Sequence, residues 1–183
     1  VYFPLILLSK KRYIGMLYSN NATKPDYQDS KGIILKRRDG TKILRDLYQG
    51  IIDIIINLFL VTESGNASII NKIKTVIHRI VSSDTKDILD DIIITKSYKG
   101  PSAYKNDNIP HVCLAKILTE RDPGNAPRPS DRISYIFVDD KKLKKGAPQY
   151  TKVEDPKFAI ENGLEIDKLY YINNLITPIS ELV

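Results

Sequence analysis

The sequence of 183 residues contains one cysteine, Cys113, and no tryptophan. A single thiol excludes an internal disulfide, and it excludes a zinc site built from several thiolates. We therefore expect a reducing, intracellular compartment for this protein. Cys113 stands in the apolar stretch Val112-Cys113-Leu114-Ala115, so we interpret it as a small core residue.

Long hydrophobic runs are missing too. The longest one, Ile51–Val61, contains Asp53 and Asn57 and is shorter than the ~20 residues that span a bilayer. The apolar run Val1–Leu8 is too short for a signal peptide, and basic residues follow it instead of preceding it. We therefore expect no membrane partner. Because the chain opens in the middle of a strand-like run, we also expect it to be a fragment of a longer protein.

The usual signatures of an active site are absent. The sequence has no glycine-rich phosphate loop of the Walker or Rossmann type. Its two histidines, His78 and His111, lie far apart and lack carboxylate neighbours at metal-ligand spacing. We interpret both as structural or surface residues.

Carboxylate pairs give no stronger signal. Two-metal phosphoryl chemistry needs carboxylates that converge on ions ~4 Å apart. The doublets Asp90-Asp91 and Asp139-Asp140 are poor ligand pairs, because adjacent residues of a strand point to opposite faces, and we interpret both as solvated turns. Glu165 and Asp167 have the alternate spacing, but Asp167 begins a helical pattern and is predicted to be its N-cap. The sequence therefore predicts no metal ligand.

What the chain does have is a strong asymmetry of charge. Residues 1–45 hold ten Lys and Arg against three acids, whereas the rest of the chain holds eighteen against nineteen. The net charge of +6 therefore lies in the first quarter. The candidate binding residues in this region are Lys10, Lys11, Arg12, Tyr13, Lys31, Arg37 and Arg38. Clustered basic residues with an aromatic among them favour a polyphosphate backbone over a membrane.

Each of these signals also has a plainer interpretation. Lys10-Lys11-Arg12 could be a hairpin turn with solvated charges, and Tyr13 could belong to the core. Arg37-Arg38-Asp39 could be a salt-bridge cluster at the start of a helix. Their co-occurrence within residues 10–38 favours nucleic-acid binding over these alternatives.

Hydrophobic periodicity predicts an α+β fold, with strands first and helices later. The predicted strands are a hairpin of Tyr2–Leu8 and Arg12–Tyr18, then Gly32–Lys36 after a polar loop over Asn20–Ser30, then Ile92–Thr95 and Arg132–Val138. The predicted helices are residues 41–60, Ser68–Val81 with Ser68 as N-cap, His111–Glu120, Pro156–Asn162 and Lys168–Asn174. We place a domain boundary near residue 40.

Several blocks of the sequence, in their order and spacing, resemble a known protein family. Tyr2–Gly15, which includes Lys10-Lys11-Arg12-Tyr13, is similar to the palm segment that follows the catalytic motif in family B DNA polymerases. Lys31-Gly32-Ile33 and Arg37-Arg38-Asp39 look like the next landmark, where the palm passes into the thumb. Further similar blocks are Tyr48–Ile55, His111-Val112 with Leu114-Ala115, Asp131–Tyr135, Glu154-Asp155-Pro156, Glu161-Asn162, Ile166-Asp167 and Tyr170-Tyr171-Ile172. The branch that these blocks most resemble is that of the delta-type polymerases and their relatives in large DNA viruses.

The chain departs from this pattern at two positions. The family usually has glycine immediately before the Asp131-Arg132-Ile133 block, where this chain has Ser130. The proline expected within that block is replaced by Ser134. Both departures concern the geometry of one loop.

The resemblance implies a small antiparallel palm sheet over residues 1–40, followed by a mostly helical thumb domain over residues 41–183. The parent would be a DNA-directed DNA polymerase, a nucleotidyltransferase that uses Mg²⁺ to add dNTPs to a primer–template at a nuclear or viral replication site. The metal-binding aspartates would lie upstream, so we expect this segment to bind no cofactor and to be inactive alone. A processivity factor would bind outside the segment.

The resemblance also implies roles for individual residues. Lys11 would sense the minor groove with help from Arg12, and Tyr13 would hold the terminal backbone of the primer. The candidates for phosphate neutralisation are Lys10, Lys31, Arg37 and Arg38. Two other hypotheses stay open: a non-catalytic basic DNA-binding module, and an α+β interaction domain that binds an acidic protein.

Overall fold

The structure, a computed structural model, describes residues 1–20, 23–37, 40–60, 65–139 and 146–182. Within these ranges the chain forms two three-stranded antiparallel sheets and six α-helices, which confirms the α+β prediction. The strands are β1 Tyr2–Ser9, β2 Arg12–Leu17, β3 Tyr27–Lys31, β4 Ile94–Ser97, β5 Arg132–Phe137 and β6 Val153–Glu154. The helices are α1 Lys42–Leu60, α2 Gly65–Ser82, α3 Thr85–Ile92, α4 Pro110–Arg121, α5 Pro156–Glu161 and α6 Lys168–Ser180.

The chain forms two compact units. The first comprises residues 1–38, 43–78 and 173–183, and the second comprises residues 39–42 and 79–172. The boundary near residue 40 concerns the palm and thumb of a parent enzyme, and it stays a prediction. None of the described helices is long and apolar enough to cross a membrane.

The first unit is built on the meander β1-β2-β3 and helix α1. Burial on α1 recurs every three to four residues, as expected of a helix with one apolar face. Its core cluster joins the sheet to this face through Ile14, Ile33, Tyr48, Ile52 and Ile56. The predicted hairpin and the predicted helix over residues 41–60 are therefore confirmed.

The prediction for the third strand is wrong. The strand is Tyr27–Lys31, inside the predicted polar loop, and Ile34–Lys36 forms a short 3-10 turn instead of a strand. Gly32 adopts a φ of +66° and ends the pairing with β2. The strand is polar because it lies at the edge of the sheet and no residue in it is fully buried, so the apolar alternation that signals a strand is missing.

Two further predictions on the helices need correction. Helix α2 begins at Gly65, so Ser68 lies within its first turn and is not its N-cap. Helix α3, Thr85–Ile92, was not predicted, because eight residues are too few for a clear helical period. The predicted cap of α6 is confirmed, since the Asp167 carboxylate accepts a hydrogen bond of 2.9 Å from the Tyr170 backbone N–H.

The second unit surrounds the sheet β4-β5-β6. Strand β4 lies two residues later than predicted, whereas β5 and helices α4 and α5 are confirmed. The buried Tyr171 hydroxyl accepts a hydrogen bond of 2.9 Å from the Phe137 N–H. This bond satisfies a backbone donor of β5 in the core.

The interpretation of Asp90-Asp91 as a solvated turn is wrong. Both residues lie in α3, and Asp91 is 8% exposed. Its carboxylate accepts a hydrogen bond of 2.9 Å from Lys42 Nζ and pairs with the Arg79 guanidinium. Burial raises the pKa of Asp91, but the Lys42 hydrogen bond and the positive charge of Arg79 outweigh it, so the net pKa is lower than usual. Asp91 is therefore a charged cross-link between helical segments.

The structure also places three other residues that the sequence analysis interpreted: His111, Cys113 and Asp139. His111 is buried, and its Nε2 lies 3.2 Å from the Tyr104 hydroxyl, as expected of a structural histidine. Cys113 is only half-buried, because it lies on the less covered side of α4. Asp139 is exposed at the end of β5, and Asp140 lies outside the described residues.

The first departure from the family pattern falls on a strained residue. Ser130 has a φ of +79°, in the left-handed region that favours glycine. Its backbone N–H still donates a hydrogen bond of 2.7 Å to the Tyr98 carbonyl, so the loop holds this conformation in spite of the side chain. The structure therefore explains why glycine suits this position.

We expect Ser130→Gly to raise the free energy of unfolding by about 0.5–1 kcal/mol, because glycine adopts a positive φ at little cost. Urea denaturation measures the difference. The control is Ser102→Gly, in the 3-10 turn Pro101–Ala103, where φ is not positive and glycine should destabilise by a similar amount. Destabilisation by both substitutions would contradict the argument.

Candidate nucleic-acid interface

The basic residues Lys10 and Lys11 occupy the turn between β1 and β2. Ser9 pairs with Arg12 across the hairpin, so the two lysines form the exposed tip. Lys11 has a φ of +64°, a conformation that a non-glycine residue adopts at a cost of ~1 kcal/mol or more. Strain of this kind persists only where neighbouring structure enforces it, and it occurs often at functional sites.

Gly32 lies against this turn. A Cβ atom built on Gly32 would lie 2.5 Å from the Lys11 carbonyl oxygen and 3.1 Å from the Arg12 Cγ. The backbone after β3 therefore passes directly against the turn, and only glycine permits this approach. Lys31, the residue before Gly32, is exposed and pairs with Tyr13 between β3 and β2.

Tyr13 is held by a carboxylate of its own sheet. Its hydroxyl donates a hydrogen bond of 2.9 Å to Asp29 Oδ2, and the Tyr2 hydroxyl donates one of 2.7 Å to the same oxygen. The Tyr2 and Tyr13 rings meet edge to face at 6.0 Å. The hydrogen bond to Asp29 raises the pKa of the Tyr13 phenol, which therefore stays protonated. Tyr13 is half-buried, so it is neither a core residue nor a fully exposed one.

Arg12 forms an ion pair with Glu181, which follows helix α6. Its Nη2 lies 2.5 Å from Glu181 Oε2, and the side chains of Arg12 and Glu181 are 31% and 41% exposed. Among the described residues, the buried Arg12 Nε and the buried Tyr48 hydroxyl have no hydrogen-bond partner. The hydrogen bond from Arg12 lowers the pKa of Glu181, and the charges of Arg12 and Arg37 add to this effect. Glu181 is therefore a carboxylate at neutral pH.

Arg37 follows the 3-10 turn and is exposed. It lines a cleft of about 240 Å³ in the first unit together with Arg12, Ile34, Thr177, Pro178 and Glu181. The structure thus places two of the predicted arginines on one cleft. Arg38 lies outside the described residues.

Charge is open to solvent at four of the predicted positions. Lys10, Lys11, Lys31 and Arg37 are exposed, and within the described part of the chain none of them forms an ion pair. Cations without acidic partners are available to a polyanion. These side chains are therefore suited to phosphate contacts.

Sequence reasoning missed both carboxylates of this site. Glu181 lies 169 residues from Arg12 in the sequence, so no local pattern connects them. Asp29 falls in the segment predicted to be a loop, and only its place on β3 brings it next to Tyr13. No hydrophobic alternation over Tyr27–Lys31 marks this edge strand in the sequence.

The described residues do not form a cluster of metal ligands. Mg²⁺ takes oxygen ligands in octahedral geometry, usually with one or two carboxylates. In the described ranges no three His, Cys, Asp or Glu side chains come together to hold a metal ion. Asp29 and Glu181, the carboxylates nearest the basic turn, are already engaged by hydroxyl and guanidinium donors. We therefore assign no metal-dependent step to these residues.

Comparison with known proteins identifies the family. The family model for DNA polymerase family B matches residues 1–183. The chain belongs to DNA polymerase family B. Within that family it is 38% identical to the DNA polymerase of Pyramimonas orientalis virus and 37% identical to the DNA polymerase delta catalytic subunit of Plasmodium falciparum, each over 100% of this chain. The predicted resemblance to delta-type and viral family B polymerases is confirmed.

A solved structure shares the fold. The family B DNA polymerase from the hyperthermophilic archaeon Pyrobaculum calidifontis matches 97% of this chain with a TM-score of 0.65 and 18% identity. The chain covers 20% of that polymerase, 14% of the viral polymerase and 15% of the Plasmodium subunit. It therefore corresponds to a small part of these longer family B proteins.

Proposed function

We propose that this chain is the part of a DNA-directed DNA polymerase that binds and positions the primer–template duplex for template-directed dNTP addition. The parent would take dNTPs and Mg²⁺ at residues outside this chain and act at a nuclear or viral replication site. Residues 1–40 would end the palm, and residues 41–183 would form the thumb. A processivity factor would bind elsewhere.

The observation that carries this proposal is the exposed basic turn Lys10-Lys11, in which Lys11 has a positive φ. Family membership makes duplex DNA the expected partner, and the exposed cations Lys10, Lys11, Lys31 and Arg37 suit phosphate contacts. Phosphate contacts position a duplex without reading its sequence, as a replicative enzyme requires. Arg38 would add a further contact of the same kind.

Lys11 has a more specific role in this proposal. Every Watson–Crick pair presents acceptors at purine N3 and pyrimidine O2 in the minor groove. A lysine donor there accepts any correct pair but loses its hydrogen bonds when a mismatch displaces those atoms. The left-handed backbone of Lys11 fixes the direction in which its side chain leaves the turn, with Arg12 and Tyr13 beside it.

The test is the salt dependence of duplex binding by the 183-residue chain, measured by fluorescence anisotropy with a labelled primer–template. Neutralising two phosphate-contacting residues, in Lys31→Ala/Arg37→Ala, should flatten the slope of log K against log salt by roughly 1.8. The control is Lys86→Ala/Lys157→Ala, which removes two exposed lysines of the second unit and should leave the slope unchanged.

Two results would count against the proposal. Absence of salt-sensitive duplex binding would exclude the positioning role. An unchanged slope in Lys31→Ala/Arg37→Ala would instead remove these residues from the interface and favour contacts with an acidic protein.

A further inference from the structure

The cleft that Arg12 and Arg37 line also contains the carboxylate of Glu181. Glu181 pairs with Arg12 at 2.5 Å and lines the same cleft as Arg37. Two guanidinium groups and one carboxylate leave a net charge of +1 there. A site meant only to attract DNA would be stronger without this carboxylate.

The Arg12–Glu181 ion pair has the features of a weak one. One guanidinium nitrogen, Nη2, contacts one carboxylate oxygen, so the pair lacks the two parallel bonds of the strongest arginine–carboxylate contacts. The Arg12 and Glu181 side chains are 31% and 41% exposed, and exposed ion pairs are weak in water.

The pair also has a use when DNA is absent. It holds the Arg12 guanidinium in one orientation at the edge of the cleft. A phosphate that reaches the cleft can take the place of the carboxylate, because it accepts from both Arg12 and Arg37.

We propose that Glu181 is an internal competitor of the DNA phosphate for Arg12, and that the Arg12–Arg37 cleft takes one phosphodiester group of the duplex when the carboxylate releases it. This inference rests on the proposed duplex binding. Its consequence is that Arg12 adds little to the affinity, because contact with the phosphate requires that the Arg12–Glu181 ion pair be broken.

The variant Glu181→Gln tests this exchange in the 183-residue chain. Without the carboxylate, Arg12 contacts the phosphate without breaking an ion pair, so the affinity should rise, whereas the slope of log K against log salt should change little because the number of neutralised phosphates is the same. The affinity for the duplex at about 0.1 M salt should rise roughly two- to fivefold. Glu181→Ala, a second neutral variant, should behave in the same way.

The matched control is Glu161→Gln. Glu161 is also an exposed carboxylate paired with one cation, Lys157, at 3.8 Å, but it lies outside the cleft. Its slope and affinity should equal those of the unsubstituted chain. Thermal unfolding of every variant confirms that the fold is kept.

A double substitution separates competition from general surface charge. In an Arg12→Ala background, Glu181→Gln should no longer raise the affinity for the duplex, because the cation for which carboxylate and phosphate compete is gone. A gain that persists in that background overturns the competitor role, and so does an unchanged or weaker affinity of Glu181→Gln with duplex binding otherwise intact. Absence of duplex binding in every variant, the unsubstituted chain included, overturns the proposed function, and this inference with it.

Discussion

Gly32→Ala is expected to lower the free energy of unfolding by roughly 2–4 kcal/mol and to weaken duplex binding. Two costs add at this position. The φ of +66° is unfavourable for any residue with a Cβ, and the new methyl would lie 2.5 Å from the Lys11 carbonyl oxygen. Relief of that overlap moves the Lys11-Arg12 turn. Urea denaturation measures the first effect, and anisotropy with duplex DNA measures the second.

Gly163→Ala is the matched control for this substitution. Gly163 has a φ of +61°, but a Cβ there would have no other atom within 4 Å. It should therefore lose only the conformational part, about 1–2 kcal/mol, and keep duplex affinity. Equal losses at both glycines would mean that the contact with the turn contributes nothing.

Arg121→Ala is expected to destabilise the second unit by about 2–4 kcal/mol. The Arg121 guanidinium donates to Glu154 Oε1 at 2.8 Å and to Oε2 at 2.6 Å, and its central carbon lies 3.6 Å from the centre of the Phe158 ring. Glu154 is 7% exposed. Removal of the cation would leave a buried carboxylate whose remaining donor among the described residues is the Asp155 backbone N–H, at 2.7 Å.

Arg121→Lys should recover part of the loss, since lysine keeps the charge but cannot form the two parallel bonds or stack on Phe158 in the same way. The control is Lys157→Ala, which removes a cation whose side chain is 86% exposed and which pairs with Glu161 at 3.8 Å. It should cost less than about 0.5 kcal/mol. Thermal or urea unfolding compares the three variants, and similar losses for Arg121→Ala and Lys157→Ala would refute the buried-pair argument.

Local patterns predicted the elements whose residues are apolar on one side. The hairpin of β1 and β2, helix α1, helix α4 and strand β5 all follow from hydrophobic periodicity, because burial of one face imposes the period of the backbone on the sequence. Edge strand β3 and the short helix α3 were not predicted, because they lack this hydrophobic periodicity. Their polar residues and short length carry too little of that period.

The candidate site was predicted in part. Lys10, Lys11, Arg12 and Tyr13 are adjacent in the sequence and belong to one hairpin, so the structure could only keep them together. The partners of this group are distant: Asp29 reaches Tyr13 across two strands, and Glu181 reaches Arg12 from the end of the chain. No spacing rule connects residues that meet only after folding.

The sequence by itself determined the α+β class, the charge asymmetry, the family and the basic turn, since each depends on composition or on neighbours along the chain. The tertiary structure alone decided which charges are free and which are paired. The sequence suggests a solvated turn at Asp90-Asp91, but Asp91 is buried and pairs with Lys42 and Arg79. Glu181 pairs with Arg12 although 169 residues separate them in the sequence. Coulomb interactions depend on distance in space and on burial, and neither quantity is set by separation along the chain.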